Sequence, residues 1–180
     1  MRKRSYFLSF FFGVIFGNLA GIFNSSFFTF LLIPFVSFNK YLYSFNIILI
    51  LKVLAIIIAP ILEELTKLIP IFFLIYQERG HIININQWII LSILAALGFS
   101  TFENIICFIT FISLHKLNAC LLLIVLRYML ATPMHLSSTL VTSYGVGVWY
   151  LYGIRSFLIF IPIGVGIHSL HNLIITTWWF

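Results

Sequence analysis

The sequence predicts an all-α protein, a polytopic transmembrane helix bundle of roughly five to seven spans enclosing a polar cavity. Three observations predict it. The composition is 62% hydrophobic and only 8% charged, with a mean hydropathy of +1.15, whereas soluble domains carry about 25% charged residues. Long apolar runs recur along the chain, separated by short polar turns. The chain holds four acidic residues, of which Glu63, Glu64 and Glu103 fall inside apolar runs and only Glu78 in a polar loop. A carboxylate at the bilayer centre costs about 2.5–3.5 kcal/mol on insertion scales. Those three are therefore expected to face a polar interior and not lipid.

The elements follow in order. Met1–Arg4 is basic and precedes an apolar run from Tyr6 to about Phe23. The layout mimics a signal peptide, but Asn18-Leu19-Ala20 is a poor cleavage site, so the run is read as a retained first span with its basic end cytoplasmic. Phe27–Phe38 is short, and is a second span, a re-entrant piece or the end of a tilted first helix. Asn46–Tyr76 is too long for one straight helix across a ~30 Å hydrocarbon core, and Pro60 and Pro70 predict a kink or break in it. A polar loop, 77–87, leads to a span from Trp88 to about Ser113. A tight turn at His115–Asn118 precedes a long helix from Ala119 to about Tyr152 that contains Pro133. Gly153–Arg155 makes the last turn, and Phe157–Trp178 the last span, where Trp178 and Trp179 suit an interfacial anchor. Short connections imply antiparallel neighbours.

The net charge of +6 comes from basic residues scattered singly beyond the N-terminus, which suits loops beside a membrane and not a nucleic-acid stripe. Cys107 and Cys120 lie in apolar segments and predict no structural disulfide. The expectation is one integral membrane domain over 1–180, multi-pass in a cell membrane, with the lipid bilayer as its surroundings and no nucleic-acid partner.

Polar clusters interrupt the apolar segments. Glu63 and Lys67 stand at i, i+4 after Pro60, a spacing that suits an ion pair, while Glu64 points about 100° away. Two adjacent carboxylates in a low dielectric titrate as a coupled pair, a property suited to a general base or acid. Glu103, beside Asn104, lacks a basic neighbour within a turn, so its partner is expected from another helix, Arg127 or Lys67. Arg127 and His135 lie two turns apart with Pro133 between them, a kink of the kind that lines cavities. His168 and Asn172 share a helix face, and both can donate to a developing oxyanion. His168 and His171, at i, i+3, could instead hold a metal, although no HExxH helix is present. Carboxylates, a histidine and a His/Asn donor pair together point to water activation and amide hydrolysis. A non-catalytic membrane scaffold and a proton-linked transporter are the competing classes, because buried Glu and His also build packing clusters and proton relays.

In this order and at membrane depth, EExxK (Glu63, Glu64, Lys67), FxxxEN (Phe99, Glu103, Asn104), Arg127 with His135, and HxxxN (His168, Asn172) resemble the PrsW family of intramembrane proteases. That family is similar to the CAAX prenyl endopeptidases of the wider glutamic-protease superfamily. The resemblance covers 60–172. It implies a metal-independent glutamic peptidase without cofactor, acting on a membrane-anchored protein such as an anti-sigma factor. Glu63 or Glu64 would be the base on water, with Glu63 placed first because Lys67 shares its face. His135 would assist, and His168 and Asn172 would form the oxyanion hole. Lys67, Glu103, Asn104 and Arg127 would support them. EExxK and FxxxEN stand where the prenyl endopeptidases carry EExxxR and FxxxH, which argues against a prenylated substrate. The superfamily also implies an inactive scaffold or immunity-type relative as an alternative.

Overall fold

The computed structural model describes residues 3–38, 52–77, 84–112 and 117–179. Those residues form five α-helices: α1 (Lys3–Phe38), α2 (Ala59–Gln77), α3 (Ile85–Ile112), α4 (Leu117–Tyr152) and α5 (Phe157–Trp179). A π-helical turn, Leu54–Ile58, leads directly into α2. Among the described residues, α3, the Cys120–Tyr152 part of α4 and the Phe157–Ile175 part of α5 are long and apolar enough to cross a membrane. The all-helical membrane bundle expected from composition is the fold observed. The charged loop around Glu78 and His81 and the turn at His115 lie outside the described residues.

Two sequence expectations resolve here. The short apolar piece Phe27–Phe38 is the end of the first helix, since α1 runs without interruption through it. The helix carrying Pro60 and Pro70 is not broken between Lys52 and Gln77. Pro60 is accommodated by the π turn instead, and the hydrogen-bond bookkeeping shows how. Within it the Ala59 N–H bonds the Leu54 carbonyl, five residues back. The Ala55 carbonyl would next take the N–H of residue 60, which proline lacks. Asn172 of α5 fills the deficit, its Nδ2 donating to the Ala55 oxygen over 3.0 Å. A proline in one helix thereby fixes the approach of another, at the kind of π-helical turn that often marks functional sites.

α2 is the central element and packs against each of the other four helices. Its lower half joins Leu68, Ile71, Leu74 and Ile75 to Trp88, Leu91 and Val146 in an apolar core. The Trp88 indole donates to Ser143 Oγ over 2.7 Å, and Ser92 Oγ donates to the Trp88 carbonyl over 2.8 Å. The polar part of α2 lies one turn towards its N-terminus, where Glu64 and Lys67 are fully buried.

α1 lies against α3 through small residues, the usual route to close approach of helices in a membrane. Ser9 Oγ donates to the Leu91 carbonyl over 2.7 Å. A Cβ at Gly13 would run into the Ala95 carbonyl, and one at Gly98 into the Phe10 carbonyl. Both obstacles are backbone and cannot rotate aside. Gly13→Val or Gly98→Val is therefore expected to cost at least about 1–3 kcal/mol, read as a lowered thermal midpoint in detergent. Gly21→Ala, whose new Cβ meets nothing within 4 Å, is the control and should change the midpoint little.

Candidate active site

The site is built where α2, α3, α4 and α5 converge. Glu64 is fully buried and saturated. Its Oε1 accepts from Lys67 Nζ at 2.6 Å and Ser138 Oγ at 2.9 Å and contacts His168 Nδ1 at 2.9 Å, while Oε2 accepts from Thr139 Oγ1 at 3.0 Å. The ion pair expected between Glu63 and Lys67 is thus corrected: the lysine pairs with Glu64 at i, i+3. Both spacings put a carboxylate near the ammonium on a helix surface. The choice falls to Glu64 because donors from α4 and α5 gather on the same carboxylate.

Glu63 lines a cavity of about 360 Å³. Glu103 and Asn172 line it with Glu63, as do Gly17, Gly21 and Phe102. His168 spans the two carboxylates: its Nδ1 meets Glu64, and its Nε2 lies 3.5 Å from Glu63 Oε2. An ionised carboxylate only accepts, so Nδ1 carries a proton towards Glu64, and Nε2 lies on the Glu63 side of the ring. His135 stands edge-on to His168 with ring centroids 4.9 Å apart. Lys67 Nζ is 3.0 Å from His135 Nδ1, and His135 Nε2 is 2.6 Å from Glu103 Oε2. An ammonium only donates, which assigns the His135 proton to Nε2, towards Glu103. The Phe99 ring covers Lys67, with Nζ 4.5 Å from its centroid.

Glu103 finds Arg127, as one of the two sequence alternatives expected, with Nη2 at 2.8 Å from Oε1. Arg127 Nε also donates to Asn104 Oδ1 over 2.9 Å. Asn104 is fully buried and donates to Thr132 Oγ1 over 3.2 Å, with Ser100 Oγ 2.8 Å from the same hydroxyl. FxxxEN therefore ties α3 to α4 at the rim of the cavity.

Glu63, Glu64, Lys67, Glu103, Asn104, Arg127, His135 and His168 thus form one continuous polar network, and Asn172 lines the same cavity as Glu63 and Glu103. His171 is half-buried and is not in the group that could hold an ion. Sequence reasoning missed Ser138 and Thr139, the hydroxyls that fix Glu64. The signal was available, since they follow His135 at i+3 and i+4 and share its helix face.

Fold and site together define a helical membrane protein with carboxylates and imidazoles gathered inside it. The chain matches the PrsW family of intramembrane metalloproteases over residues 2–180, and it belongs to that family. No curated protein and no solved structure gives a match.

The family description names a metal, whereas the motif resemblance implied none. Glu63, His135 and His168 each offer one ligand atom, and these lie within 4.8 Å of one another. Two imidazoles and a carboxylate are a catalytic zinc donor set. The Glu64 contact to His168 Nδ1 is the outer-shell partner that metal-bound histidines usually keep. The residues present fit a divalent cation once one nitrogen of His135 gives up its contact with Lys67 or Glu103. The same site also holds the Lys67 ammonium against His135, a competing positive charge.

Proposed function

We propose that this chain is a membrane-embedded peptidase that hydrolyses a peptide bond of a membrane-anchored protein, with Glu63 as the base. The observation that carries the reading is the division of labour between adjacent carboxylates. Glu64 is saturated by Lys67, Ser138, Thr139 and His168, while Glu63 lines the cavity with His168 Nε2 3.5 Å away. In the proposed reaction a water in the cavity beside Glu63 gives a proton to Glu63, and its oxygen bonds to the scissile carbonyl carbon. The Asn172 amide, on the cavity wall, is the donor to the resulting oxyanion. As the C–N bond breaks, the proton on Glu63 passes to the amine. Glu64 keeps His168 in one tautomer, and Glu103 does the same for His135. A multi-pass seat in the cell membrane is the corresponding location, and an anti-sigma factor is one protein of the substrate class.

The convergence of Glu63, His135 and His168 favours a second reading. In it those residues would hold a divalent cation, which when bound would polarise the carbonyl and activate water. Chelation separates the two. Purified protein treated with a strong chelator, then assayed on an anchored single-span substrate with its metal content measured, is expected to keep its activity. Activity lost with one equivalent of zinc, and restored on its return, would replace the first reading with the second.

A further inference from the structure

A second cavity, of about 410 Å³, opens on the membrane-spanning face formed by α3, α4 and α5. Cys107 and Phe111 of α3, Leu126 and Leu130 of α4 and Ile175 of α5 line it, and Arg127 forms part of its wall. Its lining is almost wholly apolar. Its volume is in the range of clefts that seat a ligand of several apolar groups, roughly 300–1,000 Å³. Arg127 bridges to Glu103, a lining residue of the catalytic cavity, so an ion pair of 2.8 Å links the walls of the two spaces.

We infer that this groove docks the apolar, membrane-anchoring segment of the substrate, and that the Arg127–Glu103 pair marks where the chain passes from groove to catalytic cavity. The inference rests on the peptidase reading above. Two features favour a peptide segment over a lipid. The groove and the catalytic cavity have walls joined by the Arg127–Glu103 pair, as a chain that anchors in one and is cut in the other requires. Arg127 turns both its Nε and its Nη2 inward, to Asn104 and Glu103, and does not present them to a lipid phosphate.

Cys107 makes the test direct. It lines the groove and is partly exposed, whereas Cys120 is fully buried. The full-length protein is reconstituted in vesicles with a single-span Leu/Ala-rich peptide that carries one cysteine in its apolar segment, and is oxidised mildly. A disulfide to Cys107 is expected, several-fold above that to Ile109→Cys in a Cys107→Ser background; Ile109 is 56% exposed on the opposite face of α3. Leu130→Trp, which fills the groove from a position 60% exposed to the surroundings, is expected to lower the crosslink. It should also raise KM for an anchored substrate about tenfold, and change a short soluble peptide with the same scissile bond by less than about twofold. Equal crosslinking at the two cysteines overturns the groove. So does labelling of the groove by a photoactivatable phospholipid that the peptide does not displace. A Cys107 crosslink with no cleavage of either substrate upholds the groove and removes the peptidase reading; cleavage without the crosslink does the reverse.

Discussion

Glu63→Gln is expected to abolish cleavage of an anchored substrate, by about 10²–10⁴-fold in kcat, while leaving expression and thermal midpoint near wild type. The amide keeps the volume of the carboxyl group and much of its hydrogen bonding but cannot accept the proton of water. Glu63 borders the cavity with 16% of its side chain exposed, and the 2.6 Å pair to Lys67 is made by Glu64, so the uncharged isostere keeps the buried ion pair intact. Glu64→Gln should behave differently. It strips the counter-charge from a lysine with no exposure and loosens the contacts to Ser138, Thr139 and His168, so stability falls together with activity. Cleavage rates paired with thermal unfolding of both variants decide between base and orienting residue. Wild-type rates for Glu63→Gln would end its assignment as the base, and wild-type rates for both variants would end carboxylate catalysis. Loss of stability in Glu63→Gln as large as in Glu64→Gln would point to a packing cluster of the scaffold type.

Lys67→Ala should produce the largest loss of stability of any single substitution in the site, about 3–5 kcal/mol, the usual consequence of removing one partner of a buried ion pair. Three features set the scale. Neither partner is exposed, the pair is 2.6 Å apart, and the same ammonium lies 3.0 Å from His135 Nδ1. The double variant Glu64→Gln/Lys67→Met removes both charges and should regain most of that stability. It should stay poorly active, because His168 Nδ1 then lacks the carboxylate that holds its tautomer. Thermal unfolding in detergent, with cleavage measured on the same preparations, reads both effects. A single variant that loses less than about 1 kcal/mol would place Lys67 among exposed pairs and contradict its burial.

Much of this molecule was legible without coordinates because the bilayer constrains composition strongly. Few charges and long apolar runs leave helices as the available way to satisfy the backbone, and among the described residues the helices lie where the runs lie. The same reasoning brought out the site, since each carboxylate, histidine and arginine in an apolar run must find polar company. Local spacing was less informative where two answers were equally good. Glu63 and Glu64 lie at i+4 and i+3 from Lys67, and an isolated helix accepts either pairing. Phe27–Phe38 was ambiguous for a similar reason: a short apolar segment has the same composition whether it continues a helix or starts one.

The sequence by itself determined the class of fold, the residues that had to be buried together, and the family motifs they carry. Only the tertiary structure decided which carboxylate is locked and which faces the cavity. Ser138 and Thr139 reach Glu64 from a helix far away in sequence, and His168 from another. It also decided that Asn172 completes the hydrogen bond Pro60 cannot supply, through the carbonyl of Ala55. The physical reason is common to both. A buried polar group must be satisfied, but its partner is fixed by distance in space, and several helix faces of similar composition compete for it until packing brings one within about 3 Å.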